Sequence, residues 1–104
     1  MGKLVGDVQL AAHVAETVKA LGHPVRLRIV AILCERPESV TGLAARLGVK
    51  QAVVSQQLRI LRMGALVRSV RASGIARYEL AEPRLRELIR CLEGCPTGDK
   101  GGRV

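Results

Sequence analysis

The sequence predicts a mainly α domain of about five helices, with one two-stranded β-hairpin set before the last of them. Three observations carry this. Apolar residues recur at helical spacing through most of Val8 to Met63. Two of these helical segments are separated only by a tight turn at Gly48. Two strand-like stretches then follow, joined across Ala72-Ser73-Gly74, before helical spacing returns.

The first helix is predicted from Val8 to Leu21, where Val8, Ala11, Ala12, Ala15, Val18 and Leu21 form a stripe between an N-cap at Asp7 and a stop at Gly22. Pro24 suits the first position of a second helix, whose locked backbone needs no N–H there. That helix carries Val25, Leu27, Ile29, Val30, Ile32 and Leu33 and ends before Arg36-Pro37. Being apolar on more than one face, it belongs at the centre. Ser39 caps a short third helix bearing Val40, Leu43, Ala44 and Leu47. A fourth, from Gln51 to Met63, turns Val54, Leu58 and Leu61 inward and stops before Gly64. The third and fourth helices form a helix-turn-helix.

Leu66–Arg71 and Ile75–Leu80 are the predicted strands. The second alternates well, with Ala76, Tyr78 and Leu80 on one side and Arg77 and Glu79 on the other; the first alternates poorly. A last helix is expected from Pro83 to Gly94, carrying Leu85, Leu88, Ile89 and Leu92. The fold class is therefore a winged helix-turn-helix in residues 8–93, with an N-terminal extension (1–7) and a flexible tail (94–104).

With 104 residues the chain suits one modest core, and with a single aromatic residue, Tyr78, that core is built of Leu, Val, Ile and Ala. Small side chains and small size both argue for a partner subunit. The first and last helices flank a core already occupied, so their apolar stripes are expected to pack on a second copy, making a homodimer. No apolar run approaches the ~18 residues that cross a bilayer, and the N-terminus lacks the layout of a signal peptide, so no membrane partner and a cytosolic location are expected. No nucleophile elbow, phosphate loop or metal-ligand spacing with a general base is present, and the chain is too short to enclose a pocket, which argues against an enzyme.

The net charge is +8, from 17 Lys and Arg against nine acids. Position matters more than the total. Between Ser39 and Tyr78 there is no Asp or Glu, yet Arg46, Lys50, Arg59, Arg62, Arg68, Arg71 and Arg77 all fall there. Such a patch fits double-stranded DNA. The outward face of the fourth helix offers Gln51, Ala52, Ser55, Gln56 and Arg59 in its first turns, with Lys50 before them and Arg62 after. Gln pairs with adenine, Arg with guanine, and Ala touches a thymine methyl. Arg68, Arg71 and Arg77 lie on the hairpin, where they suit phosphate or a minor groove. The competing class is a winged helix used to bind protein or RNA, which would show no preference for a palindromic duplex.

Leu21-Gly22-His23-Pro24-Val25-Arg26-Leu27-Arg28-Ile29, then Gly42-Leu43-Ala44, the run from Gln51 to Arg62, Gly64-Ala65-Leu66-Val67 and Arg77-Tyr78-Glu79-Leu80 together resemble the ArsR/SmtB repressors, over about residues 8–93. The resemblance implies a winged-helix homodimer, joined through its first and last helices, that leaves its operator when an effector binds. The family's Cys-x-Cys metal site aligns with Ser39 and Thr41, so the resemblance does not carry that site over. Its zinc site on the last helix begins with an Asp and a His, which align with Glu82 and Arg84.

What remains is thiol chemistry. Cys91 and Cys95 stand four positions apart, on one face of the last helix if it continues past Gly94, and Cys34 sits near the end of the second. No obligatory cofactor is expected. Three thiolates suit arsenite or a soft metal ion as effector, whereas a pair within disulfide reach suits a switch worked by reactive sulfur or oxidants. Family members implied by the resemblance place sensing cysteines on the second and last helices. Cys34 also shares a face with Leu27 and Val30, so a packing thiol is an equal reading. His13 and His23 are isolated, which suits a cap or surface role.

Overall fold

A computed structural model describes residues 2–94. Helix α1 (Lys3–Gly6) precedes α2 (Val8–Leu21), α3 (Pro24–Glu35), α4 (Val40–Leu47) and α5 (Gln51–Met63). Strands β1 (Val67–Ala72) and β2 (Ile75–Leu80) form the hairpin, and α6 (Leu85–Glu93) closes the described chain. Among the described residues six helices stand where about five were expected, the extra one being the single turn α1 within the N-terminal extension. The last helix starts two positions after Pro83, and the first strand begins and ends one residue later than the pattern suggested. Most of the expected tail (95–104), with Cys95, lies outside the described residues.

Local chemistry accounts for the boundaries. Asp7 accepts from the Leu10 N–H at 2.9 Å, Ser39 from the Gly42 N–H at 3.1 Å, and the His23 Nδ1 from the Val25 N–H at 3.1 Å, each satisfying a donor at a helix start. Gly48 turns α4 into α5 at φ 69°, a left-handed conformation that glycine adopts without a Cβ clash. At the end of α5 the left-handed residue is Ala65 (φ 61°), not Gly64. The hairpin turns on Ser73 and Gly74, both at positive φ, as a two-residue turn matched to strand twist requires.

Helix α3 is central. Its Ile29, Val30, Ile32 and Leu33 are buried, and with Leu43, Val54, Leu58 and Leu61 they form the core joining the helix-turn-helix to the rest. Each such side chain contributes roughly 1.5–3 kcal/mol through burial. Helix α2 buries Leu21 in this core and half-buries Leu10 and Val14, while Val8, Ala12, Ala15 and Val18 of the sequence stripe face solvent. The hairpin is antiparallel in register Val67↔Leu80 to Ala72↔Ile75, and Glu38 extends it by one bridge to Tyr78.

Candidate nucleic-acid interface

Helix α5 separates its faces cleanly. Val54, Leu58 and Leu61 are buried, whereas Gln51, Ala52, Ser55, Gln56, Arg59 and Arg62 are all exposed, as is Lys50 at the N-cap. Lys50 supplies no side-chain cap to the start of α5, where its carbonyl accepts from the Val53 and Val54 N–H groups. Ser55, Arg59, Arg62 and Met63 share one concave surface with Tyr78 of β2, which joins helix and hairpin into a continuous face.

The hairpin does not hold its arginines alike. Directly paired residues share a face and neighbours along a strand alternate. The register therefore puts Arg71 on the Tyr78 face, turned toward α5, and Arg68 and Arg77 on the opposite one. Arg71 lies beside the tip, its Nη1 donating to the Gly74 carbonyl at 2.7 Å. Arg68 sits at the root, its Nε 2.7 Å from Glu79 Oε2, and Arg77 Nη1 lies 3.8 Å from Glu38 Oε1. Arg46 is tied to Glu35 at 2.8 Å, a contact that lowers the Glu35 carboxyl below its ordinary range and raises the guanidinium. Four of the seven cations of the acid-free stretch, Lys50, Arg59, Arg62 and Arg71, thus have no carboxylate partner among the described residues. Accordingly, Arg71→Ala should lower the slope of log affinity against log salt by about two in a dimer, and Arg68→Ala should leave it nearly unchanged. Titration of a duplex at several salt concentrations measures both.

One residue the sequence reading passed over is Gln57, buried on the inward side of α5. Its Oε1 accepts from Arg26 Nη1 at 2.8 Å. The signal was its spacing, three after Val54 and four before Leu61, which places it on the apolar face.

The thiols are distributed differently. Cys34 is half-buried against α6, where Arg86 donates to its carbonyl at 3.1 Å, and burial pushes the thiol up from its ordinary range although Arg86 opposes the shift. Cys91 is exposed and does not line the recess that Cys34 shares with Arg86, Ile89, Arg90 and Glu93. Among the described residues no group of three His, Cys, Asp or Glu could hold a metal ion.

At the aligned zinc position, Glu82 is clamped by its neighbour instead. Its Oε2 accepts from the Arg84 N–H at 3.0 Å and from Nε at 2.9 Å, and Oε1 accepts from Nη2 at 3.2 Å. The guanidinium and this N–H bring the Glu82 carboxyl down to about 2. Because the folded value lies below the ordinary 4.5, the pair's contribution is present above that pH and is lost as pH falls toward 2. An NMR titration should find Glu82 ionised well into acid, and Arg84→Ala should raise its midpoint toward the ordinary range without fully restoring it, because the backbone N–H of residue 84 still donates to Oε2.

A buried-inward, cationic-outward second helix of a helix-turn-helix, continuous with a hairpin, defines a winged helix-turn-helix DNA-binding regulator. Residues 23–69 match the family model described as bacterial regulatory protein, arsR family. The chain is 42% identical over 83 residues to the HTH-type transcriptional regulator NmtR of Mycobacterium tuberculosis, covering 80% of this chain and 69% of that protein. It is 38% identical over 94 residues to the biofilm growth-associated repressor of Agrobacterium fabrum, covering 85% and 80%. The solution structure of the homodimeric winged helix-turn-helix DNA-binding domain of Mb0332 from Mycobacterium bovis superposes with a TM-score of 0.74 at 27% identity, over 83% of this chain and 80% of that one. The chain belongs to the ArsR family of transcriptional regulators. Among the described residues no helix is long and apolar enough to cross a membrane.

Proposed function

We propose that the chain is a repressor that binds an imperfectly palindromic operator as a homodimer and is released by a thiol-reactive effector. The observation that carries the DNA reading is the outward face of α5. Short polar side chains for base edges stand there beside Arg59 and Arg62, which no acid neutralises among the described residues. Support for the dimer comes from apolar surface that the monomer leaves in water. Val8 is 82% and Val18 58% exposed on α2, beside Leu4 and Val5 on α1, and Leu92 is exposed on α6. A twofold contact through these helices would set two α5 helices about 34 Å apart, one turn of DNA. The homodimeric Mb0332 domain supports the same arrangement.

Cys91 is the favoured first point of effector attack, because it is exposed on a helix assigned to the dimer contact. Cys34, with its raised thiol, reacts more slowly as a nucleophile. Arsenite, a soft metal ion, a persulfide and an oxidant are all thiophilic enough to serve.

The test is selection of duplexes from a randomised pool, followed by binding and sedimentation of the selected complex. A palindrome bound by two protomers is expected, with release by at least one of the four reagents, lost in Cys91→Ser. Cys34→Ser and Cys95→Ser tell whether a second thiol takes part. Selection of no palindrome, or binding by one protomer, overturns the operator reading. Unchanged affinity under all four reagents overturns the effector.

A further inference from the structure

Arg26, near the start of α3, connects two helices that otherwise do different jobs. Its Nε donates to the Ala20 carbonyl, in the last turn of α2, where carbonyls lack partners within the helix. Its Nη1 donates to the buried Gln57 of α5. The two helix ends also lie close together: an added methyl group at Gly64 would stand 3.8 Å from the Ala20 Cβ. Gln57 stands among Val54, Leu58 and Leu61, where an apolar side chain would pack without needing any partner. A buried amide there is tolerated because its oxygen is met by the guanidinium.

We propose that Arg26 and Gln57 are a positioning pair that sets the angle between α2 and α5, and thereby the separation of the two reading helices in a dimer. This rests on the dimeric, palindrome-binding function proposed above. Apolar contacts alone permit neighbouring helices to slide. A planar guanidinium, with donors fixed in direction, holds an acceptor on α2 and another on α5 at one relative orientation. The lever is long. Helix α5 has 13 residues, about 20 Å, so a tilt of about 5° moves its far end by about 2 Å, enough to break a hydrogen bond to a base. One protomer on one half-site can re-seat itself to absorb such a tilt. Two protomers joined through α2 cannot both do so.

The experiment compares wild type, Gln57→Met and Gln57→Glu on two duplexes: a palindrome selected by the wild type, and the same duplex with one half-site scrambled. Methionine keeps the length and apolar fit but removes the acceptor. It is expected to cost about tenfold on the palindrome and less than about threefold on the single half-site, with an unchanged dimer and little change in Tm. Glutamate keeps the acceptor and should restore palindrome binding to within about threefold of wild type. Equal losses by Gln57→Met on both duplexes, or none on either, overturn the proposal. If Gln57→Met does not fold, Arg26→Lys, which keeps the charge but loses the fork, must show the same split between duplexes. Failure of the wild type itself to prefer a palindrome would instead sink the dimeric reading, and this pair's role with it.

Discussion

Raising salt from about 50 to about 200 mM should weaken duplex binding by about 10³–10⁵-fold. The figure follows from which cations lack an acid. Lys50, Arg59, Arg62 and Arg71 have no carboxylate partner among the described residues, so the proposed dimer would present eight such groups to phosphate. Each phosphate neutralised releases condensed counterions and adds about 0.9 to the slope of log affinity against log salt, giving a slope near 7. Fluorescence anisotropy of a labelled duplex across that range measures it. A slope above about 12 would mean that Arg46, Arg68 and Arg77 leave their acids to join the interface, and one below about 3 would mean that α5 does not lie against the duplex.

Leu58→Ala should lower unfolding free energy by about 2–5 kcal/mol, through lost burial and the cavity left behind. Leu58 is 1% exposed, on the side of α5 that faces the core. A domain of this size holds only about 5–15 kcal/mol in all, so Tm should fall by roughly 10–30 °C. Thermal denaturation at one protomer concentration is the measurement, since the proposed dimerisation would make Tm depend on concentration. Ser55→Ala, three residues earlier on the exposed face, should leave Tm almost unmoved. The contrast separates the buried face of α5 from its exposed polar face within a single turn.

Most of the fold was legible because its signals are local. Asp7, Ser39 and Gly48 mark helix ends by their own chemistry, and period 3.6 sorts Val54, Leu58 and Leu61 from Ser55 and Arg59 without any tertiary knowledge. The α2 stripe was harder. Apolar residues cover two adjacent faces of that helix, and periodicity does not say which is covered; Leu21 is buried and Leu10 and Val14 half-buried, whereas Val8 and Val18 are exposed. Gln57 was missed because a polar/apolar pattern cannot register a buried amide whose partner, Arg26, is 31 residues away. The expected stop of α5 before Gly64 holds, but the left-handed residue beyond it is Ala65, which takes that conformation despite its Cβ.

The candidate site was less legible still, for the same reason. Counting acids along the chain makes Ser39 to Tyr78 uniformly positive. Folding brings Glu35, Glu38 and Glu79, all just outside that stretch, against Arg46, Arg77 and Arg68. These are surface pairs, each worth at most about 1 kcal/mol to stability. Their larger effect is to decide which arginines meet solvent unopposed.

The borrowed carboxylates bear on how the domain can be cut. A peptide spanning only Ser39 to Tyr78 would carry seven positive charges and no negative one, and would cling to any polyanion regardless of its bases. Under the proposed operator reading, discrimination by the intact protein would therefore depend on Glu35, Glu38 and Glu79 outside that stretch, and trimming the domain to it would trade selectivity for stickiness.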